Sequence, residues 1–370
     1  MTEISLILTA SSTEGSATAV AVADQGTGIG IIPRGAIEAL RDAKQQIVAM
    51  MSGQPRMTSN QLVTFGKLMG DILFCDEVRP TWMHASSGKA LITKILATTT
   101  ELKAIPWEYA TWPSGQTGPV LWNSVVRLVP QSQASLLEPL ERNESLRVLL
   151  LSASPLNLGA VPWQDLRDKL ITVFGTALPD IEVVGENDEP KSRKFLRVVD
   201  AASPKKVRDC IRDDDPQIVH FVGHGTEKGL ALVDAKTRKS VLIDATALSA
   251  ALQAAPSIRL AVLSACDTAN ASPIAPVDES IGTFAEQLVR NAVPAVIASQ
   301  MVIDMRAVAT FCEGLYRELL SSGSIDIAVA AGRCQVAAQL GTVESAAIEW
   351  GIPVLYRRLG AARLFAEARP

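Results

Sequence analysis

Two short segments hold the residue types from which hydrolytic chemistry is built. The run Ile218-Val219-His220-Phe221-Val222 leads into Gly223-His224-Gly225, and Ile258-Arg259-Leu260-Ala261-Val262-Leu263 leads into Ser264-Ala265-Cys266-Asp267. Each reads as a buried strand that stops at a short turn with a functional group at its tip. A free thiol with a pKa near ~8.5 is mostly protonated at neutral pH; an adjacent imidazole takes its proton and can later protonate a leaving amine. His224 and Cys266 are therefore the candidate catalytic pair. The glycines beside His224 allow a substrate backbone to come close. The N–H of Gly225, with that of Cys266, makes a candidate two-donor oxyanion hole.

The same residues have plainer readings. Cysteine is among the most buried residue types, so the pattern alone leaves a core cysteine and a catalytic one both open at 266. His220 reads as a mid-strand core residue or as a support for His224; as a metal pair with His224 and Cys266 it lacks a carboxylate or further cysteine at ligand spacing. Ser264 with His224 is a weaker alternative, because the thiol is the better nucleophile and no GxSxG elbow exists. His84 has no nucleophile beside it and reads as a solvent-facing or loop residue. Cys75, Cys210, Cys312 and Cys334 fall on helical stretches or in the first half and read as core or incidental.

The elements that must bring the two tips together are legible around them. Between them lie a hairpin (Gly229–Val241) and a helix (Ala245–Ala254), and a right-handed crossover then sets the tips on neighbouring strands. Apolar runs at Leu146–Leu151, Ile181–Val184, Ile218–Val222, Ile258–Leu263, Ala295–Ala298 and Val354–Leu355 alternate with helical patterns. Those patterns are Trp163–Phe174, Pro204–Arg212, Ala245–Ala254, Ile281–Asn291 and Met305–Ser321. Such alternation implies a mostly parallel sheet covered on both faces, with chemistry at the carboxyl ends of its strands. The first half opens with paired strands Ile4–Leu8 and Ala17–Ala23, then helices at Ala36–Met50 and Ser59–Phe74, then strands at Ala90–Ala97 and Val120–Val129. A polar junction around Gln131–Ser145 divides a first α/β lobe, 1–140, from a second, 146–370, which holds both candidate motifs.

Composition removes several classes of function. At 370 residues and 48% hydrophobic content the chain can bury a large core. A net charge of −4 carries no nucleic-acid footprint, and the cluster Lys205-Lys206 with Arg208 is broken by Asp209 and by Asp213-Asp214-Asp215. The start, Met1-Thr2-Glu3, lacks the basic region of a secretory signal, and no apolar run reaches the ~20 residues needed to span a membrane. Five scattered cysteines, odd in number and without a CxxC pair, point to reduced thiols in a cytoplasm and to no structural zinc. No cofactor is expected.

At these residues the sequence resembles the CHAT family, bacterial relatives of caspases and separases. The family pattern, a strand leading to HFxGHG and a strand leading to LSAC with Asn or Asp, is matched by His220-Phe221-Val222-Gly223-His224-Gly225 and Leu263-Ser264-Ala265-Cys266-Asp267-Thr268. The resemblance continues through Glu279, Ile281–Asn291 and Asn291–Ser299 to Asp304. Upstream, Ile105-Pro106-Trp107-Glu108 is similar to the family's LPWE signature, and Leu146–Pro155 to the strand opening the protease lobe. The chain departs from the pattern at Ala269-Asn270, and where the family has ASLWxVxD it reads Ala298-Ser299-Gln300-Met301-Val302-Ile303-Asp304.

The resemblance implies a caspase-like three-layer sandwich preceded by a smaller noncatalytic lobe, and a dyad of His224 and Cys266 with an oxyanion hole from the backbone of Gly225 and Cys266. It also implies a cytoplasmic defence protease triggered by a sensor or regulatory partner, acting on a protein such as a pore-forming effector, with an inactive latent state. Asp267, Glu279 and Asp304 are candidates for the substrate pocket and would favour a basic side chain before the cut. The rival readings are a catalytically silent interaction module and a hydrolase of small amides; the intact pair of motifs speaks against the first.

Overall fold

The computed structural model describes residues 2–11, 15–24, 26–52, 58–85, 91–103, 105–111, 124–130, 138–141, 145–226, 229–265, 279–340 and 348–367. Its first half contains β1 (Thr2–Ala10), β2 (Ala17–Ala23), β3 (Gly26–Ile32), α1 (Arg34–Ser52), α2 (Ser59–Leu73), α3 (Val78–Ala85), β4 (Leu91–Ala97), α4 (Thr100–Lys103) and β5 (Ser124–Leu128). The second begins with β6 (Arg147–Ser152), α5 (Gln164–Ala177), β7 (Glu182–Val184), β8 (Phe195–Val199), α6 (Pro204–Asp214), β9 (Ile218–Thr226), β10 (Gly229–Val233) and β11 (Ser240–Ile243). It continues with α7 (Ala245–Leu252), β12 (Leu260–Ala265), α8 (Glu279–Asn291), β13 (Ala295–Ser299), α9 (Met305–Ser322), α10 (Ile325–Leu340) and β14 (Pro353–Arg357).

The strands form one sheet in the order β3-β2-β1-β4-β5-β14-β13-β12-β9-β6-β8-β7, with the β10–β11 hairpin attached to β9. Most pairings are parallel. The reversal at β13–β14 makes β5, β4 and β1 run opposite to β13, β12, β9 and β6. The carboxyl ends of β6, β9, β12 and β13 therefore open together at one edge of the sheet. The two halves meet through β5 and β14, with Val126 beside Leu355 and Leu128 beside Arg357.

Alternate residues of the central strands feed two cores, as the near-continuous apolar runs require. Val148 and Leu150 join Leu166 and Phe174 of α5, Leu315 of α9 and Val329 of α10, while Leu149 and Leu151 join Ile211 of α6, Leu252 of α7 and Leu288 of α8. The result is the expected α/β arrangement, a mostly parallel sheet between two helical layers.

Five elements, β3, α3, α4, β8 and α10, lie outside the sequence expectations, and three of them have local reasons. In β3 the run Gly26-Thr27-Gly28-Ile29-Gly30-Ile31-Ile32 is interrupted by glycines that α3 and the turn before it require. A Cβ at Gly28 would stand 2.1 Å from the Glu77 carbonyl, and one at Gly30 would stand 2.6 Å from Cys75 Sγ. β8 is a short strand after a polar turn. α10 carries small residues such as Ala328, Ala330 and Gly332 on its buried positions and so lacks a clear amphipathic period. The cap of α2 is Thr58 rather than Ser59 or Asn60: its hydroxyl accepts from Gln61 N while Gln61 accepts from Thr58 N in return.

Candidate active site

His224 stands near the end of β9, which is parallel to β12 in a register that pairs Ala265 with Gly223. β9 and β12 are thus neighbours, as the crossover argument requires. Cys266, the residue after Ala265, and Asp267 lie outside the described residues. On its other side β9 pairs with the hairpin, Ala231 opposite His224 and Leu230 opposite Gly225. Strand closeness is what the flanking glycines permit here: a Cβ at Gly223 would lie 2.9 Å from the Ala153 carbonyl, and one at Gly225 would lie 3.2 Å from Ala265 Cβ.

The imidazole of His224 is 3% exposed, and its Nε2 lies 3.1 Å from the Gly159 carbonyl oxygen. A carbonyl only accepts, so Nε2 carries the proton of this contact. The carbonyl is set by a turn that the chain secures several times. Gly159 has φ +81°, where glycine is unstrained. Ser154 Oγ accepts from Val161 N at 3.1 Å, and Leu156 N donates to Arg238 O at 3.0 Å. Asn157 exchanges two hydrogen bonds with Ser240 at the start of β11, at 2.9 and 2.7 Å. The turn is therefore tied to the same hairpin that flanks His224. The sequence carries no sign of the Gly159 contact, because a backbone oxygen has no residue type.

His220 is fully buried and belongs to the core. Tyr316 OH lies 3.2 Å from its Nδ1, and its Nε2 lies 2.9 Å from Ser264 Oγ. Burial pushes its pKa down to about 3, so the ring is neutral and uses one nitrogen as donor and the other as acceptor. Both nitrogens being engaged, it is not arranged as a metal ligand, and Ser264 meets His220 rather than His224. Among the described residues no cluster of His, Cys, Asp and Glu is placed to hold a metal ion.

The four described thiols are all pushed away from the thiolate. Burial raises each of them, Cys75 with help from Asp76, Cys210 with help from Asp214, Cys334 by burial alone, and Cys312 up to about 12. Of the pocket candidates, Glu279 opens α8, with its side chain outside the described residues. Asp304 caps α9: its carboxylate accepts from Arg306 N at 2.7 Å and pairs with the Arg306 guanidinium at 3.2 Å. His84 is exposed in the last turn of α3.

The CHAT domain model matches residues 70–357. Among solved structures, the chain is similar to the complex of Porphyromonas gingivalis RgpB pro- and mature domains (TM-score 0.46, 9% identity, 90% of this chain and 78% of that one). It is similar to the Arg-specific cysteine proteinase gingipain R (TM-score 0.46, 11% identity, 87% and 76%). A third is the Saccharomyces cerevisiae separase–securin complex (TM-score 0.46, 9% identity, 97% of this chain and 30% of that one). No curated protein matches the chain.

Proposed function

Because the chain belongs to the CHAT domain family, we propose that it is a cysteine endopeptidase with His224 and Cys266 as its dyad. The observation that carries this reading is the pairing of Ala265 with Gly223, which makes β9, the strand of His224, the neighbour of β12, which ends one residue before Cys266. The bond from His224 Nε2 to Gly159 supports it, because Nδ1 is then the nitrogen that takes the thiol proton. The thiolate attacks a peptide carbonyl, and the N–H groups of Gly225 and Cys266 receive the oxyanion. The imidazolium protonates the leaving amine, and water then hydrolyses the acyl-enzyme with His224 as base.

The substrate is a specific protein in this reading, and the setting is a cytoplasmic anti-phage response in which a sensor or regulatory partner relieves a latent state and cleavage frees an effector such as a pore-forming protein. Among the described residues no helix is long and apolar enough to cross a membrane. Asp267 and Glu279 are the acidic residues proposed to face the substrate. The carboxylate of Asp304 is already committed to a helix cap and to Arg306.

New protein N-termini in cells expressing the wild type or Cys266→Ala, read by mass spectrometry, test the proposal. Termini that vanish in the variant are expected, and their sequences report the cleavage preference. Identical termini in both, together with a Cys266 thiol no more reactive than a free cysteine, would leave a catalytically silent interaction module as the better reading.

A further inference from the structure

The register that joins the candidate dyad extends one strand further. β12 pairs with β13 so that Leu263 stands beside Ala298, which brings Gln300, the first residue after β13, into the row of Ala265 and Gly223. The segment 300–304 therefore leaves the sheet at the edge where β9 and β12 end. With strands roughly 4.8 Å apart, it lies one strand spacing from the strand that leads into Cys266.

That segment is held at both ends. The backbone N–H of Gln300 donates to the Ile352 carbonyl at 3.1 Å. Its side-chain amide donates to Gly351 O at 2.8 Å and to Glu108 Oε2 at 3.1 Å, and its Oε1 accepts from Arg127 Nη2 at 3.1 Å. At the far end the Asp304 N–H donates to the carboxylate of Glu349 at 3.2 Å. Between these points Ile303 is buried and Val302 is 43% exposed.

The anchor comes from the first half of the chain. Glu108 is 0% exposed and Arg127 is 7% exposed, and they form a two-pronged pair at 2.9 and 2.7 Å. Arg127 Nη1 donates to the Lys103 carbonyl at 2.5 Å, and Nη2, besides Glu108 and Gln300, reaches the Ile105 carbonyl at 3.0 Å. Burial opposes the charge of Glu108, but Arg127 holds its carboxyl below the usual carboxylate range. The amide of Gln300 matches this pair at both ends: its N–H₂ meets the carboxylate and its oxygen meets the guanidinium. A buried polar network of this kind rigidifies the groups it joins.

We infer that Gln300 is a substrate-positioning residue, through which the buried Glu108–Arg127 pair of the first half sets the segment 300–304 as one wall of the binding cleft beside β12. The inference rests on the endopeptidase reading above. It assigns the first half a mechanical part in substrate binding, and it separates binding from the chemistry of the dyad.

The test uses the full chain, a panel of tripeptidyl acyloxymethyl ketones differing in the residue next to the ketone, and iodoacetamide as a small thiol reagent. Gln300→Leu removes the three side-chain bonds. Gln300→Glu keeps the shape but sets a carboxylate against Glu108 and the Gly351 carbonyl. The expected result is an inactivation KI raised at least fivefold in Gln300→Leu and further in Gln300→Glu, with kinact and the iodoacetamide rate at Cys266 within twofold of the wild type. An unchanged KI, or a Gln300→Glu variant that binds as well as the wild type, would overturn the positioning role and leave a packing residue. A parallel loss in KI, kinact and iodoacetamide rate, with a lowered melting temperature, would also overturn it in favour of a general folding role. A wild type whose Cys266 reacts with none of the ketones, in cells that also yield no Cys266-dependent protein N-termini, overturns the endopeptidase reading itself, and this inference with it.

Discussion

The two histidines of the HFxGHG motif sit four residues apart on one strand and meet different partners. His224, near the end of β9, meets the Gly159 carbonyl; His220 lies in the core, bonded to Tyr316 and Ser264. This burial has a consequence for stability. The folded-state pKa of His220, about 3, is below its ordinary value of 6.5, so the unfolded chain binds the extra proton as pH falls. The contribution is complete above pH 6.5 and is lost progressively toward pH 3, with a span on the order of 5 kcal/mol. Urea unfolding of His220→Gln across that window is expected to show an acid limb shallower than the wild type by up to one proton. An unchanged slope would mean that the ring is solvated in the folded protein.

At the scale of elements, the ends of strands and helices carry the assignment. β9 and β12 deliver adjacent tips, and α9 begins just beyond β13 with Asp304 as its cap. Asp304→Ala is expected to cost about 1 kcal/mol through the lost cap, while Asp304→Asn keeps a capping oxygen and most of the stability. Because Arg306 already neutralises the carboxylate, Asp304→Asn is expected to leave the cleavage preference unchanged. A preference moving away from lysine and arginine in that variant would place Asp304 in the pocket. Thermal unfolding and the N-terminal peptides of the cleavage products read the two effects separately. The cap is within reach of sequence reasoning, since Asp before a helical period is a start signal. The ion pair with Arg306 is less so, because nothing in the spacing says which charge a carboxylate will meet.

Over the whole molecule, the sheet passes through both halves without a break at the polar junction. β14, the last strand in the chain, is parallel to β5 on one side and antiparallel to β13 on the other. A fragment starting at residue 145 would lack β1–β5, exposing the edge of β14 along Leu355, Tyr356 and Arg357 and removing Glu108 and Arg127 from Gln300. An open, apolar central edge invites association. The fragment is expected to sediment as aggregate when produced alone and to become soluble when residues 1–144 are co-produced. A soluble, cooperatively folding fragment with wild-type reactivity at Cys266 would show that the first half is dispensable for the fold.

What is local in this chain can be read from its residues alone. The apolar runs at Ile218–Val222 and Leu260–Leu263 are strands because residues on both sides of each strand are buried; β9 continues through Gly223-His224-Gly225 to Thr226, and β12 through Ser264 to Ala265. The match of β2 to the expected Ala17–Ala23, and of α9 to the expected Met305–Ser321 within one residue, rests on the same link between side-chain period and burial. What depends on partners comes from the folded chain. That His224 is oriented by Gly159, that Gln300 rather than a pocket residue meets Glu108 and Arg127, and that β14 joins the halves are all contacts between distant residues. A periodic pattern records that a face is buried but not what buries it, and a backbone carbonyl leaves no mark in the sequence.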